Sequence, residues 1–351
     1  MVCFAGIGFH LGNIGFYVLV GPAYSSILNQ VNQVPGNQSR IQPILEIQAY
    51  TNILLFTDSV TYCYHVWQTI AAGTSIICRP LIRGYIERND AHHIGAGRII
   101  MDLGLQGRKA LITGGTKGIG RAIADLLADE GSDVAICARN ESEVSSAVQA
   151  LAAKGVKATG RALDVADGPS LTSWLADAAQ ELGGLDILVA NVSALAIDGT
   201  EESWQKGFEI DMMHTVRAVN AAMPYLEQSD AASIVVISSV SGVETDFAAG
   251  PYGAFKAALI NYAKGLSSQL AAKGIRVNTV SPGNTYFEGG VWQQIEQNMP
   301  EFFEQAMSLN KMGRMATPQE VANGAVFLAS PIASYITGTN LLVDGALTNR
   351  V

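Results

Sequence analysis

From residue 101 onward, short apolar runs alternate with stretches in which apolar positions recur every three or four residues. The apolar runs have the length and the β-branched content of buried strands, as at 110–112, 134–137, 187–190 and 234–237. A further strand is predicted at 276–281, where polar residues alternate with Val277 and Val280. The stretches between them have the period of amphipathic helices. This alternation predicts repeated β–α units, and therefore an α/β domain with a parallel sheet and helices on both faces.

Residues 1–100 have a different composition. They contain no lysine, the first charged residue is Arg40, and no helical or strand period is sustained. Our hypothesis is that Met101 is the native start and that residues 1–100 are upstream sequence. The alternative is a genuine extension, for instance a weak membrane anchor in the apolar stretch 4–20. That stretch is interrupted by His10 and Asn13 and lacks the basic residues that precede a secretory signal.

Charge and cysteine content exclude several classes of function. The formal net charge of −9 argues against a nucleic-acid partner, because phosphate binding needs clustered lysine and arginine. The apolar fraction of 48% is ordinary for a globular protein. The four cysteines have neither metal-ligand spacing nor a disulfide pattern, which favours a reducing, cytoplasmic location without a metal site; they are Cys3, Cys63, Cys78 and Cys137.

A glycine-rich turn lies between the first strand of the domain and its first helix. Residues 113–120 read Thr-Gly-Gly-Thr-Lys-Gly-Ile-Gly, with Gly114, Gly118 and Gly120 as the spaced glycines. Such a turn lets a phosphate approach backbone N–H groups, and the helix N-terminus adds partial positive charge. The turn therefore predicts a bound dinucleotide, and with it hydride-transfer chemistry.

A second group of polar residues follows the predicted strand at 234–237. Ser239 ends this segment, and Tyr252 and Lys256 come later with a spacing of four, which places them on one face of a helix. Reduction of a ketone needs a proton donor to the developing alkoxide. A tyrosine can donate that proton, and a neighbouring ammonium favours the phenolate that takes it back.

In the order and spacing of these motifs, residues 105–348 resemble the classical short-chain dehydrogenase/reductases, most closely the 3-oxoacyl-carrier-protein reductase-like branch. The resemblance implies a Rossmann-type doubly wound parallel sheet of about seven strands. It implies Tyr252 as acid and base, with Lys256 holding the nicotinamide ribose and Ser239 positioning the substrate oxygen. Asp211 stands where the family usually has an asparagine, and is either a fourth catalytic residue or a structural one.

The resemblance also implies a set of cofactor-binding residues. These are Gly114, Thr116, Lys117, Gly118, Ile119, Gly120, Arg139, Asp164, Val165, Asn191, Tyr252, Lys256, Pro282, Gly283 and Thr285. Lys117 and Arg139 lie where NADP-preferring members carry cations for the 2′-phosphate, so we expect NADP(H) rather than NAD(H). The alternative is that both are solvated surface charges. For Asp164, the alternative is a role in a turn.

Two departures from the family pattern are expected to matter. Of the family's Asn-Asn-Ala-Gly element only Asn191 is present, and Phe287 replaces an expected threonine. The aromatic-rich residues 286–312 correspond to the family's substrate lid, which indicates an apolar pocket. The alternative for this segment is a pair of helices packed on the core.

The sequence thus predicts an NADP(H)-dependent oxidoreductase that acts on a ketone or a secondary alcohol, with a 3-oxoacyl thioester as one possible substrate. The alternative from another class is an NADP-binding module without turnover. Relatives in the family imply a homotetramer or a homodimer. The expected partner is a small-molecule substrate, without a nucleic acid or a membrane.

Overall fold

In a computed structural model of the protein, the structure describes residues 7–11, 14–18 and 101–349. The chain divides into two units, Met1–Arg98 and Ile99–Val351. In the first unit, β1 (Ile7–Leu11) and β2 (Ile14–Val18) pair antiparallel; the sequence analysis did not predict this pair. The remaining residues of the predicted extension lie outside the described residues. None of the helices in the described ranges combines the length and apolar character that a membrane span requires.

The second unit is built on a seven-stranded sheet in which all neighbours are parallel. Its spatial order is β5-β4-β3-β6-β7-β8-β9. The strands are β3 (Lys109–Thr113), β4 (Asp133–Ala138), β5 (Ala158–Ala162), β6 (Ile187–Ala190), β7 (Ser233–Ile237), β8 (Arg276–Pro282) and β9 (Asn340–Val343). The chain runs outward from β3 in one direction and from β6 in the other. The crevice of a doubly wound sheet therefore lies at the carboxyl ends of β3 and β6.

Helices cover both faces of this sheet. The helices of the described part of this unit are α1 (Gly118–Asp129), α2 (Glu141–Ala152), α3 (Gly168–Leu182), α4 (Glu201–Lys206), α5 (His214–Leu226), α6 (Pro251–Leu270), α7 (Val291–Asn298), α8 (Pro300–Leu309) and α9 (Pro318–Ala329). One core contains buried residues of α3, α5 and α6, and the other contains buried residues of α1, α2 and α9. The predicted doubly wound parallel sheet with helices on both faces is confirmed.

The central strands β7 and β8 are fully buried, and in β7 this explains the nearly continuous apolar sequence. Every residue of β7 and of β8 is buried, as expected where helices cover both faces of a parallel sheet. Cys137 in β4 is one of these core residues, and burial raises the pKa of its thiol to about 12. It packs as a small apolar residue, as the sequence indicated.

The helical segment between β6 and β7 is interrupted by a π-helical turn, Gly207–Met213, which joins α4 to α5. This turn was not predicted from the sequence. A Cβ atom on Gly207 would lie 2.7 Å from Cδ2 of Phe255, so a glycine is needed where the turn approaches α6. Such turns recur at functional sites because they redirect one side chain of a helix, and here Asp211 is the buried acidic residue of the turn.

Candidate active site

The glycine turn after β3 is held by the side chain of Asn191, which follows β6. Its Nδ2 atom donates to the carbonyl oxygens of Thr113 at 3.0 Å and Gly114 at 3.3 Å. A Cβ atom on Gly120 would lie 2.3 Å from the oxygen of Gly114 and 2.4 Å from Asn191 Nδ2. Glycine at 120 is therefore required by the close approach of the turn, the helix and this amide. The amide of Asn191 thus contacts the predicted cofactor-binding turn through two of its backbone carbonyl oxygens.

Thr113 extends this contact into the buried centre of the domain. Its Oγ1 atom accepts the N–H of Asn191 at 3.0 Å and lies 3.0 Å from Nε2 of His214. The Nδ1 atom of His214 lies 2.8 Å from the oxygen of Ile210 in the π turn. Since a carbonyl can only accept, Nδ1 carries the proton, and Nε2 accepts from Thr113. A chain of hydrogen bonds therefore joins the glycine turn to the π turn.

The start of α1 fits a phosphate group. Gly114 and Gly118 have φ values of 71° and 54°, which glycine adopts without strain. No side chain caps the N-terminus of α1, whereas Asn140 caps α2 and Asp167 caps α3. Uncapped N–H groups at a helix N-terminus form an anion-binding site. The residues present therefore fit the pyrophosphate of a dinucleotide.

The two cations predicted for the 2′-phosphate are placed differently. Arg139 is exposed just after β4 and has no salt bridge among the described residues. The ammonium of Lys117 lies 2.8 Å from Glu143 Oε1, and Oγ1 of Thr116 lies 3.5 Å from Glu143 Oε2. Glu143 was missed by the sequence analysis, because its place in the first turn of α2 resembles ordinary helix capping.

The predicted catalytic tyrosine and lysine lie on α6, above the end of β7. Lys256 is 2% exposed, and its Nζ atom is 5.6 Å from the centroid of the Tyr252 ring. Nζ donates to the oxygen of Ile237 at 3.1 Å and lies 3.2 Å from Asp211 Oδ1. The ammonium is therefore held beside the phenol by one carbonyl and one carboxylate.

Asp211 contacts Lys256 directly. Its side chain is 1% exposed, and Oδ2 accepts the N–H of Ala194 at 3.0 Å. No described residue donates a hydrogen bond of good geometry to Oδ1, so its contact with Lys256 is an ion pair. Two buried charges are tolerated when they form a pair. Removal of either partner therefore leaves the other charge buried and uncompensated.

Ser239 lies at the end of β7 and is 7% exposed. Its Oγ atom accepts the N–H of Ser241 at 3.1 Å and lies 3.2 Å from Ser241 Oγ. Ser239, Tyr252 and Lys256 therefore come from one strand end and the helix that follows it. This is the edge of the sheet at which the glycine turn lies.

The remaining predicted cofactor residues lie at the carboxyl ends of their strands. Asp164 Oδ1 accepts the N–H of Ala166 at 2.9 Å, so Asp164 forms a turn, and Val165 beside it is buried. Oγ1 of Thr285 donates to Gly283 at 3.0 Å, and a Cβ atom on Gly283 would lie 2.9 Å from Cα of Asp344. Pro282 ends β8, and Ile119 packs against the core beneath α1.

Phe287, which replaces the expected threonine, lies against the glycine turn. A Cβ atom on Gly118 would lie 2.6 Å from Cζ of the Phe287 ring. The ring therefore contacts Gly118, where the resemblance implies a threonine side chain directed at the cofactor. This contact was not predicted from the sequence.

The residues predicted as a lid form the helical pair α7 and α8. Trp292 is 5% exposed and stacks on Phe302 at a centroid distance of 6.3 Å. Phe247, from the loop between Ser239 and Tyr252, lies 5.6 Å from Trp292 and 5.4 Å from Phe302, measured between ring centroids, while remaining 50% exposed. Phe247 was missed; its signal in the sequence is an aromatic residue between the two predicted catalytic motifs.

Across residues 101–349, no group of three or more histidine, cysteine or acidic side chains is arranged to hold a metal ion.

The Lys256–Asp211 pair predicts strong coupling in stability. Lys256→Met leaves a buried carboxylate and should cost about 3–5 kcal/mol, whereas Lys256→Met with Asp211→Asn should recover about 2 kcal/mol of the summed single losses. Urea unfolding at pH 7 gives the four free energies. The exposed pair Lys154–Asp129, at 2.6 Å, is the matched control and should couple by less than about 1 kcal/mol. Additive losses at Lys256 and Asp211 would contradict the pairing.

His214 predicts a loss of stability in mild acid. Burial lowers its pKa from 6.5 to about 4, so between these values the unfolded chain binds the proton that the folded chain excludes. Stability should fall as the pH decreases from 7 to 5, with His214 contributing about 2 kcal/mol. The measurement compares urea unfolding of wild type and His214→Gln at both pH values. Identical pH dependence in the two proteins would show that His214 contributes nothing.

Known proteins match the second unit of the chain. A family model described as Enoyl-(Acyl carrier protein) reductase matches residues 114–348. Isoepoxydon dehydrogenase of Penicillium expansum is 42% identical over 255 residues, covering 71% of this chain and 98% of the relative. Dehydrogenase/reductase SDR family member 4 of Mus musculus is 33% identical, covering 70% of this chain and 89% of the relative.

Solved structures give the same result. The L-sorbose reductase of Gluconobacter frateurii, complexed with NADPH and L-sorbose, superimposes with a TM-score of 0.67 at 29% identity. The match covers 72% of this chain and all of the reductase chain. With the parallel sheet, the glycine turn and the Tyr252–Lys256 pair already placed, these matches identify the chain as a member of the short-chain dehydrogenase/reductase family of oxidoreductases.

Proposed function

We propose that this protein is an NADP(H)-dependent oxidoreductase that interconverts a ketone and a secondary alcohol, with Tyr252 as acid and base. The observation that carries the proposal is the buried Lys256 ammonium, paired with Asp211 and 5.6 Å from the Tyr252 ring centroid. A charged lysine in the domain core is costly. Its position beside a phenol, at the sheet edge that carries the glycine turn, is what proton transfer to a reacting oxygen requires.

Each residue has a distinct part in this chemistry. When bound, the nicotinamide supplies or accepts the hydride. Tyr252 gives its proton to the oxygen of a ketone, or takes the proton from an alcohol. Lys256 stabilises the phenolate by charge, and Asp211 keeps the ammonium buried in position. Ser239 holds the substrate oxygen, and this restricts its orientation toward Tyr252.

A small substrate with apolar surface is supported better than a thioester on a carrier protein. The aromatic cluster of Phe247, Trp292 and Phe302 lies beside the segment that joins Ser239 to Tyr252. Carrier proteins are acidic and need unpaired basic residues for docking. Lys273 is paired with Glu227, and Arg276 is buried against carbonyl oxygens at the end of α9. Neither offers a free positive charge to an acidic partner.

The names of similar proteins support a small-molecule substrate rather than a thioester on a carrier protein. One is named as an isoepoxydon dehydrogenase and another as an L-sorbose reductase. We therefore propose a screen of three couples: isoepoxydon with its oxidised product, L-sorbose with its reduced product, and cyclohexanol with cyclohexanone.

Tyr252→Phe tests the proposed catalytic role. Without the phenolic hydroxyl, turnover of the best couple should fall about 100- to 10,000-fold, since general acid–base catalysis contributes that much. The dissociation constant of NADPH should stay within about threefold. Steady-state rates and fluorescence titration measure the two quantities.

Tyr262→Phe is the matched control, because Tyr262 is partly buried on the same helix and should keep wild-type turnover. If wild type binds NADPH but Tyr252→Phe matches it on every couple, the alternative of a binding module without turnover is favoured.

The preference for NADP(H) is supported by Arg139 and Lys117. Arg139→Ala should raise the dissociation constant of NADPH about 10- to 100-fold, because a charge-assisted hydrogen bond to phosphate is lost. The constant for NADH should change less than about threefold. Titration of both cofactors measures this. Arg161→Ala, which removes an exposed arginine paired with Asp177, is the control.

A variant of Glu143 gives a second test of the preference for NADP(H). Because its carboxylate pairs with Lys117, it competes with a phosphate for the same ammonium. Glu143→Gln should therefore tighten NADPH binding relative to NADH, opposite in sign to Arg139→Ala. Equal changes for both cofactors in both variants would contradict the proposed phosphate site.

We also propose that the protein is a homotetramer or a homodimer. Trp204 and Phe208 are 42% and 46% exposed, and both rings contact Phe255 of α6. Exposed clustered aromatic residues are typical of protein interfaces. Sedimentation velocity tests this proposal, since a particle of one chain mass would contradict it.

A further inference from the structure

Ser239 is the first member of a chain of hydrogen bonds that ends on a carboxylate. Ser239 Oγ donates to Ser241 Oγ at 3.2 Å, and Ser241 Oγ donates to Asp246 Oδ2 at 2.6 Å. The other carboxylate oxygen, Oδ1, accepts the N–H of Ala248 at 2.8 Å. All four residues belong to the segment between β7 and α6, which also carries the proposed substrate contacts.

The Asp246 carboxylate fixes the direction of both hydrogen bonds between the hydroxyls of Ser239 and Ser241 and the carboxylate itself. An ionised carboxylate only accepts, so Ser241 must direct its hydroxyl proton at Asp246. Ser241 Oγ is then left to accept the proton of Ser239. The short distance between Ser241 and Asp246 is that of a charge-assisted bond, which is about twice as strong as a neutral one.

The Ser239 hydroxyl has three hydrogen-bonding positions, and two of them are occupied by Ser241. A hydroxyl has one proton and two lone pairs. Its proton is directed at Ser241 Oγ, and one lone pair accepts the N–H of Ser241 at 3.1 Å. Only a lone pair remains for the cleft. In the resting protein, Ser239 therefore presents an acceptor to the substrate.

We propose that Asp246, acting through Ser241, holds Ser239 as a hydrogen-bond acceptor, so that the resting site binds an alcohol in preference to its ketone. An alcohol can donate to that lone pair, whereas a ketone oxygen cannot. Asp246 and Ser241 are positioning residues in this arrangement. The inference rests on the proposed function and adds the substrate form that the site favours.

The same arrangement is compatible with reaction. The bond from Ser239 to Ser241 is long and neutral, so it is weak. In oxidation, the alcohol proton turns from Ser239 to the phenolate of Tyr252, which takes it. As negative charge develops on the reacting oxygen, that oxygen becomes a better acceptor than Ser241, and the Ser239 proton turns toward it. These hydrogen bonds therefore favour binding of the alcohol over binding of the ketone.

Asp246→Asn should reverse the direction of the hydrogen bonds from Ser239 to residue 246 without moving the residues that form them. The amide oxygen is required by the N–H of Ala248, so the NH₂ group faces Ser241 and donates to it. Ser241 then directs its proton at Ser239, whose two lone pairs are filled and whose proton faces the cleft. The variant should present a donor where wild type presents an acceptor.

The test measures binding in complexes that cannot react. Alcohol is titrated against the protein saturated with NADPH, and ketone against the protein saturated with NADP⁺, by calorimetry. Binding is the required readout, because the equilibrium constant and the cofactor affinities fix the ratio of kcat/KM values in the two directions. The probes are the couple that wild type turns over fastest in the screen, and cyclohexanol with cyclohexanone.

In Asp246→Asn, the ratio of the ketone to the alcohol dissociation constant should fall about 10- to 100-fold, because one hydrogen bond changes sign in each complex. Ser241→Ala releases the Ser239 proton without inverting it, and should lower the ratio about threefold. Glu244→Gln is the matched control: it removes the same charge from the same loop, its carboxylate accepts from Asn349, and its ratio should stay within about twofold.

If Asp246 only holds the loop in place, both dissociation constants will rise together and the ratio will not change, which overturns this inference while wild type still turns over the couple. If wild type turns over no couple, or Tyr252→Phe matches it, the proposed function fails and the inference fails with it.

Discussion

The contact between the Lys256 ammonium and the Asp211 carboxylate is the interaction on which the site depends. Both side chains are almost fully buried, and their charged atoms are 3.2 Å apart. A buried ammonium without a carboxylate would be costly, and so would the reverse. The π turn brings Asp211 under α6, and the end of β7 supplies the Ile237 carbonyl. Burial of this pair costs stability, and it places one positive charge beside Tyr252, whose phenol is the proposed proton donor and acceptor.

The cofactor side of the cleft is connected to the same turn. Asn191 holds the glycine turn, and Thr113 links it through His214 to the carbonyl of Ile210. His214 lies three residues after Asp211, so the π turn takes part in both halves of the site. A buried neutral histidine transmits no charge, but it fixes the distance between these halves. The proposed phosphate cradle and the proposed proton-transfer group are thus joined by hydrogen bonds to the same turn, and such preorganisation favours catalysis.

Much of this was predictable from the sequence because it depends on local pattern. The alternation of apolar runs and amphipathic stretches predicts the parallel sheet, and the glycine spacing predicts the turn. The Tyr252–Lys256 spacing predicts two side chains on one helix face. The contacts that were missed join segments that are distant in sequence. They are Glu143 with Lys117, Phe287 with Gly118, and Phe247 with Trp292. The π turn was missed because its one unusual residue, Gly207, does not distinguish a π turn from any other interruption of a helix.

The central claim is that a hydride and a proton are exchanged at this one site. Its most direct test is a single turnover with NADPH that carries deuterium at C4 of the nicotinamide, on the face from which the hydride is transferred, and the ketone of the best couple in the screen. Mass spectrometry and NMR of the alcohol should find one deuterium on the carbinol carbon in wild type and almost none with Tyr252→Phe over the same time. An alcohol without deuterium, or oxidation of NADPH with the ketone unchanged, would contradict the account.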